Sequence, residues 1–196
     1  GSWWSVQEKR SFAEQEGQRP QRKAVMSTKD QLLPKRARSP VNPGLHEFSD
    51  EELARDWTLS EADREELGKA RPNFRLFLAV QLCAVRLYGR FFQQVQDLSP
   101  RIINYLGSQL ALPPALTIDA PERKATATEH RTMLLDYLGF RKFDEDSQAQ
   151  LATWLEQQAR QGILPDDLGP QAEHYLLVHH ILLPGPSVLE RLLLHI

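Results

Sequence analysis

The sequence predicts an all-α protein with about eight or nine helices. In several segments apolar residues recur at steps of three and four positions, the spacing that lines one face of an α-helix. Two helix-start signals follow each other, because Ser49 with Glu52 and Ser60 with Asp63 are spaced as capping boxes. No segment has the alternating β-branched pattern of a strand. We therefore expect helices packed on helices, without a sheet.

Length and composition are those of a soluble globular protein. The 196 residues, 41% hydrophobic and 26% charged, suffice for one large domain or two small ones. No apolar run approaches the roughly 18 residues needed to cross a bilayer, and the first residues lack an export signal. The single cysteine, Cys83, lies in an apolar segment and is expected to be a buried, reduced thiol. We expect a cytoplasmic protein with no membrane partner.

Charge is distributed unevenly along the chain, although the net charge is only −2. Residues 1 to 45 contain nine Lys or Arg against four Asp or Glu, and residues 71 to 142 contain ten against five. Residues 46 to 70 contain three against nine, and residues 143 to 196 contain two against eight. This distribution predicts an anion-binding middle flanked by acidic segments.

Residues 1 to 47 are predicted to form a disordered tail. They are rich in Gln, Arg, Lys and Ser, and the prolines at positions 34, 40 and 43 would interrupt a helix. Gly1 and Ser2 resemble the remnant of a removed tag, and Met26 is a candidate for the native start.

The first predicted subdomain covers residues 48 to 115. After the two capped helices comes a long helix over residues 71 to 90, opened by Pro72 and ended by Gly89. We expect it to be the central core helix, with one apolar face made of Phe74, Phe77, Leu78, Leu82 and Val85. A further helix opens at Ser99 and Pro100 and runs to about Leu110.

The second predicted subdomain covers residues 116 to 196, after a division somewhere within residues 112 to 125. Its first helix starts near Glu122 or Thr128 and ends at Leu138, before a Gly139 suited to a left-handed turn. Three more helices are expected, over about 145 to 161, 170 to 182 and 187 to 195.

The sequence contains no self-contained active site. Gly-rich phosphate loops and the Gly-x-Ser-x-Gly motif are absent, and helix capping explains the carboxylate clusters. His174 lies five and six positions before His179 and His180, whereas ligands on one helix face need a spacing of three or four. We therefore expect no catalytic residue, no metal site and no cofactor.

A series of motifs runs in order along residues 48 to 196. It consists of WTLS at 57 to 60, RLFLAVQLC and VRLYGR between 75 and 90, the segment from Ser99 to Leu110, His130-Arg131, YLGFR at 137 to 141, and ILLPGPS at 181 to 187 leading to LERL. These motifs resemble the N-terminal region of Tn3-family transposases, in which a motif of the type R-L-G-F-A-x-Q-L-C-x-L-R-x-P-G-R is typical.

The resemblance implies a helical region that binds the terminal inverted repeats of a transposon, with the metal-binding catalytic residues hundreds of residues downstream. The chain is then a DNA-end-recognition module without enzymatic activity of its own, working in the bacterial cytoplasm and on the nucleoid when bound. The expected DNA-contacting residues are the ten cations of residues 71 to 142: Arg71, Arg75, Arg86, Arg90, Arg101, Arg123, Lys124, Arg131, Arg141 and Lys142.

In the expected mechanism the two helical subdomains dock on double-stranded DNA. These cations neutralise phosphates while one helix enters the major groove, where each base pair displays a distinct pattern. The favoured recognition helix is the one that ends at Arg141 and Lys142 or the one that begins at Arg101, because short helices with basic ends insert readily.

An alternative of a different class is a helical protein-interaction module. It would be a dimerisation or scaffolding part of the same transposase, and it predicts self-association with little affinity for DNA.

Overall fold

The computed structural model describes residues 46 to 113 and 118 to 195, apart from the side chain of Gln96. The predicted disordered tail therefore lies outside the described residues except at its last two positions. Within the described part of the chain the protein is all-α, as predicted, and no β-strand occurs.

Eight α-helices make up the described fold. They are α1 (Asp50–Asp56), α2 (Glu61–Gly68), α3 (Arg75–Tyr88), α4 (Pro100–Gln109), α5 (Lys124–Leu138), α6 (Glu145–Arg160), α7 (Pro165–Val178) and α8 (Pro186–Leu193). Two short 3₁₀ helices, Pro72–Phe74 and Val95–Asp97, precede α3 and α4.

The helix ends follow the local signals of the sequence. Both predicted capping boxes are formed, because the hydroxyls of Ser49 and Ser60 accept the N–H of Glu52 and Asp63, whose carboxylates accept the N–H of each serine. At the other ends, Gly89 closes α3 and Gly139 closes α5 with φ angles of 69° and 71°. These values lie in the left-handed region that favours glycine.

Helix α3 is the buried centre of the fold, but it is shorter than predicted. Residues 72 to 74 form a 3₁₀ turn, so the α-helix begins at Arg75. The expected single apolar face is wrong, since 11 of its 14 residues are buried and the helix is surrounded on nearly all sides. Phe74 and Phe77, predicted as core positions, are only partly buried, because they lie near its exposed amino end.

The start of α7 also differs from the prediction. The helix begins at Pro165 and contains Pro170 in its interior, although Pro170 was expected at its first position. Pro165 occupies the first helical turn, where a proline loses no hydrogen bond. Pro170 is the sixth residue, just past the turn in which backbone N–H groups lack helical partners.

Helix packing surrounds α3 with its sequence neighbours. Helices α2, α4 and α5 pack against α3, while α6 packs on α7 and α7 on α8. One cluster of buried apolar side chains includes residues from all eight helices. It therefore crosses the predicted boundary near residues 112 to 125, and the division into two subdomains stays a prediction. None of the helices in the described residues is long and apolar enough to span a membrane.

We predict that Gly89→Ala lowers the free energy of unfolding more than Gly139→Ala. Both substitutions place a side chain at positive φ, which costs about 1 to 2 kcal/mol. A Cβ at position 89 would lie 2.4 Å from Cδ2 of Leu177, a buried side chain, whereas a Cβ at position 139 has nothing within 4 Å. Overpacking should raise the effect at Gly89 to about 2 to 4 kcal/mol.

Urea denaturation of both variants measures the difference. Equal losses of stability would mean that Gly89 and Leu177 on α7 do not pack as closely as described.

Candidate nucleic-acid interface

An ion pair between a buried carboxylate and a half-buried guanidinium joins helices α2 and α3. The carboxylate of Asp63 on α2 is only 1% exposed and accepts two hydrogen bonds from the guanidinium of Arg86 on α3, at 2.7 and 2.9 Å. Such a two-point contact fixes the relative orientation of both groups. Asp63 is one helical turn before the buried Leu67, so the same face of α2 carries the charge and the apolar contact.

Two further donors complete the coordination of Asp63. The backbone N–H of Ser60 lies 2.9 Å from one carboxylate oxygen, and the hydroxyl of Tyr137 on α5 donates to the other at 2.7 Å. Each oxygen therefore accepts two hydrogen bonds. Burial alone would raise the pKa of Asp63, but the hydrogen bonds from Arg86, Ser60 and Tyr137 outweigh it and lower the pKa from 3.8 to about 2.

Helix α5 is held mainly through its last turns. Of its 15 residues only Leu134 and Leu135 are buried, and Tyr137 beside them reaches Asp63. None of residues 124 to 133 is buried, although Thr126, Ala127, His130 and Met133 are partly covered. These four positions form an inward stripe that is less deeply buried than the last turns of the helix.

The outward face of α5 is polar. Ala125, Thr128 and Thr132 are exposed and lie at steps of three and four residues, so they share one face. The exposed carboxylates Glu129 and Asp136 lie on this face too, each four residues after one of these positions. The exposed cations of the helix, at positions 124 and 131, lie along one edge of the face.

A groove of about 960 Å³ lies between residues 69 to 74 and the first part of α5 with its preceding loop. Apolar side chains in its lining include Phe74, Ile118 and Met133. Its charged lining residues are Lys69, Arg71, Asp119, Glu122, Arg123 and Glu129. Because cations and carboxylates are equal in number, the groove carries no strong net charge.

His130 contributes a partly buried imidazole to this groove. Its ring meets the ring of Phe74 edge-on at 5.3 Å between centroids, and its Nδ1 atom has no hydrogen-bond partner among the described residues. Burial lowers the pKa of His130 below its ordinary value, against the opposing attraction of Glu129. The imidazole is therefore held in its neutral form near pH 7.

Four of the ten predicted DNA-contacting residues are engaged within the protein. Arg75 donates to the carbonyls of Gly68 and Ala70 at the end of α2, and Arg86 pairs with Asp63. Arg90 lies 3.0 Å from a carboxylate oxygen of Glu173. Arg101 donates hydrogen bonds to the Phe48 carbonyl and the Asp50 carboxylate. The cation at the start of α4, the other favoured recognition helix, is therefore already bound within the protein.

The other six predicted residues are exposed and lie on or near α5. Arg131 sits 5.4 Å above the ring of Phe91, a cation–π contact that leaves its charge uncompensated. None of the six pairs with a carboxylate in the described part of the chain. They are Arg71 and Arg123 at the groove, Lys124 and Arg131 on the helix, and Arg141 and Lys142 after it.

The backbone after α5 is fixed to the end of α7. The Arg141 N–H donates to the His180 carbonyl at 2.8 Å, and the Leu182 N–H donates to the Arg141 carbonyl at 2.8 Å. His180 itself adopts a positive φ of 53°, and its ring stacks on Phe140. The two cations that follow α5 therefore start from a defined backbone rather than from a free loop.

Sequence reasoning missed several residues of this region. Asp63 was interpreted only as a helix cap, although its four-residue spacing from Leu67 indicated an inward position. Tyr137 and Lys69 were not predicted as site residues. No local sequence pattern indicates that a tyrosine hydroxyl will donate to a buried carboxylate or that a lysine will line a groove. In the described residues, no group of three or more His, Cys, Asp or Glu is arranged to hold a metal ion.

Comparison with known proteins places the chain in a family. The family described as Domain of unknown function (DUF4158) matches residues 35–196. The chain belongs to the DUF4158 family. It is also 28% identical to the transposase for transposon gamma-delta from Escherichia coli (strain K12) over 156 residues, which are 75% of this chain and 15% of that protein.

Two further transposases are similar to this DUF4158 chain. The transposase for transposon Tn3926 from Escherichia coli is 29% identical over 145 residues, 72% of this chain and 14% of that protein. The transposase for transposon Tn501 from Pseudomonas aeruginosa is 31% identical over 147 residues, 73% of this chain and 15% of that protein. The predicted resemblance to Tn3-family transposases is confirmed, and the chain spans about 15% of the length of these relatives.

We predict that Asp63→Asn lowers the free energy of unfolding by about 2 to 3 kcal/mol at pH 7, because the charge-assisted hydrogen bonds of the carboxylate are lost while the guanidinium of Arg86, 38% exposed, remains partly hydrated. The folded pKa is below the unfolded one, so the pKa shift contributes its full stability above about pH 4. This contribution of about 2 kcal/mol is lost as pH falls from about 4 to 2.

Urea denaturation of wild type and variant at pH 7 and pH 2.5 measures this difference, with Asp167→Asn, an exposed position on α7, as control. The difference in free energy of unfolding between wild type and Asp63→Asn should be smaller at pH 2.5 than at pH 7. An equal difference at both pH values would contradict the ionised, hydrogen-bonded state of Asp63.

Proposed function

We propose that this chain binds double-stranded DNA at the terminal inverted repeats of a transposon, as the end-recognition part of a Tn3-family transposase. In this proposal α5 enters the major groove. DNA cleavage and joining belong to other parts of the transposase, which this chain does not match, and the protein works on the bacterial nucleoid.

The exposure of α5 supports this proposal most directly. Its first ten residues lack a buried side chain, and six exposed cations without carboxylate partners in the described residues lie on it or near its two ends. The helix is about 22 Å long at 1.5 Å per residue. The major groove is about 12 Å wide, so such a helix can lie in the groove with its ends near both phosphate backbones.

The six cations divide into two roles by position. Arg71, Arg123 and Lys124 at one end of α5, with Arg141 and Lys142 at the other, are placed to neutralise phosphates. Arg131 is the cation in the middle of the helix, beside Thr128 and Thr132. An arginine there can donate two hydrogen bonds to a guanine, while threonine methyl groups can contact thymine.

The slight net negative charge does not argue against DNA binding. Much of the acidic surface belongs to α1, α2 and the first turns of α6 and α7. In pairs such as Arg160 with Glu156 and Arg55 with Asp56 the opposite charges cancel locally. Association depends on the charge of the face presented to DNA rather than on the total.

The test is a titration of the purified chain against a labelled duplex that carries the terminal repeat of its own transposon. A scrambled duplex of equal length is the control, and both are measured at two salt concentrations. Preference for the repeat, with affinity falling as salt rises, is the expected result, since phosphate contacts release counterions. No binding to either duplex would overturn the proposal and favour the protein-interaction alternative, which self-association in sedimentation would support.

We predict that the double substitution Arg123→Ala with Lys124→Ala weakens binding to both duplexes by a similar factor. Two lost phosphate contacts should also reduce the slope of log affinity against log salt by about 2. The matched control is Arg160→Ala on α6, an arginine that is 79% exposed and already beside Glu156. A salt slope unchanged from wild type would remove this end of α5 from the interface.

We predict a different effect for Arg131→Ala. A lost base contact should lower the affinity for the repeat by about 1 to 3 kcal/mol while changing the affinity for the scrambled duplex much less. The same titration measures both values. Equal losses on the two duplexes would instead assign Arg131 to the phosphate backbone.

A further inference from the structure

We propose that Tyr137 is a positioning residue, whose hydrogen bond to the Asp63–Arg86 pair sets the orientation of α5 and thereby the preference for one DNA sequence. This inference rests on the proposed function. It concerns what sets the orientation of α5, a helix with few buried side chains, rather than which residues of α5 contact DNA.

Helix α5 is anchored most deeply in its last turns, which form its mounted end. Its buried residues Leu134 and Leu135 lie there, whereas the first ten residues contribute only partly covered side chains, such as His130 against Phe74. A helix about 22 Å long behaves as a lever, so a rotation of about 10° at the mounted end moves the other end by about 4 Å. Base contacts require donor–acceptor distances within a few tenths of an ångström. The mounted end therefore has to be fixed closely.

Apolar contacts alone do not fix such an angle well. The attraction between buried leucines is non-directional and roughly proportional to the area removed from water. A hydrogen bond has a preferred length and angle. The contact from the Tyr137 hydroxyl to a carboxylate oxygen of Asp63, 2.7 Å long, adds this directional restraint one turn beyond the buried leucines.

The acceptor of this hydrogen bond is itself immobile. Asp63 is held by both terminal nitrogens of Arg86 and by the Ser60 N–H, at 2.7 to 2.9 Å. Arg86 belongs to α3, which is buried along most of its length. Tyr137 thus connects the exposed helix to the most enclosed helix of the described fold.

Removal of the hydroxyl should leave the fold intact. In Tyr137→Phe the carboxylate keeps the two bonds from Arg86 and the one from Ser60. Because Tyr137 is only partly buried, water can replace the lost donor. The effect of the Tyr137 hydroxyl on the orientation of α5 can therefore be measured without a large loss of stability. A residue that only stabilised the fold would not show this separation.

A matched control is present in the same fold. Tyr105 on α4 is also partly buried, and its hydroxyl is 2.8 Å from the hydroxyl of Thr58. Tyr105→Phe removes one phenolic hydroxyl at a position away from α5. Both variants should melt within a few degrees of wild type.

The first measurement is the ratio of affinities for the terminal-repeat duplex and a scrambled duplex. We expect Tyr137→Phe to lower this ratio about 5- to 10-fold, with affinity for the scrambled duplex within 2-fold of wild type. Tyr105→Phe should keep the wild-type ratio. An unchanged ratio in Tyr137→Phe, or equal loss on both duplexes, would overturn the proposal.

The second measurement needs no DNA. Nitroxide labels at Thr128→Cys on α5 and Ala149→Cys on α6 occupy exposed positions, and pulsed electron resonance gives the distance distribution between them. The native Cys83 is buried and should stay unlabelled, because burial raises the pKa of its thiol to about 12. Tyr137→Phe should shift or broaden the distribution by several ångström, and Tyr105→Phe should not.

The two measurements separate this inference from the proposed function. If wild type showed no preference for the repeat, the proposed function would fail, and the distance distribution would still decide whether Tyr137 orients α5. An unchanged distribution in Tyr137→Phe would overturn the inference whatever the DNA result.

Discussion

The described fold depends on one buried carboxylate with four hydrogen-bond donors. Asp63 binds Arg86, Tyr137 and the Ser60 backbone, so a single side chain connects α2, α3 and α5. An ion pair with a buried carboxylate adds little net stability compared with apolar residues of the same volume, because the carboxylate loses its hydration. Its contribution is geometric, since an arrangement that leaves either charge unpaired is strongly disfavoured.

The same constraint divides the arginines of the middle segment into two groups. Arg75, Arg86, Arg90 and Arg101 end in contact with carbonyls or carboxylates of the fold. The exposed cations on and near α5 have no such partners in the described residues. Cations without carboxylate partners in the described residues therefore cluster around one helix, which also carries the exposed carboxylates Glu129 and Asp136.

The chain belongs to the DUF4158 family and is similar to three transposases over 14% to 15% of their length. A fold alone does not determine function, so the surface of α5 and its surroundings is the feature that bears on DNA binding. The groove beside α5 has balanced charges and a partly apolar lining, which differs from the cationic ends of the helix. The groove and the cationic ends of α5 are therefore adjacent but differ in their chemistry.

The sequence by itself determined the features that depend on neighbours within about four residues. Capping serines, glycines at positive φ and apolar periodicity predicted the helical class, both capping boxes and the ends of α3 and α5, because these signals act within one turn. Ordered motifs along the chain were enough to indicate the family. Helix starts near prolines were less certain, as Pro170 shows, since a proline can stand early inside a helix as well as open it.

Only the tertiary structure decided which charges are used inside the protein and which remain on its surface. Asp63 and Tyr137 are 74 positions apart, and Arg90 and Glu173 are 83 apart, so no local pattern pairs them. The ten cations of residues 71 to 142 cannot be told apart in the sequence, because the type of a charged residue does not specify which group it will pair with in the fold. Packing selects the partner, since each buried polar group must find a hydrogen bond wherever the fold brings one within reach.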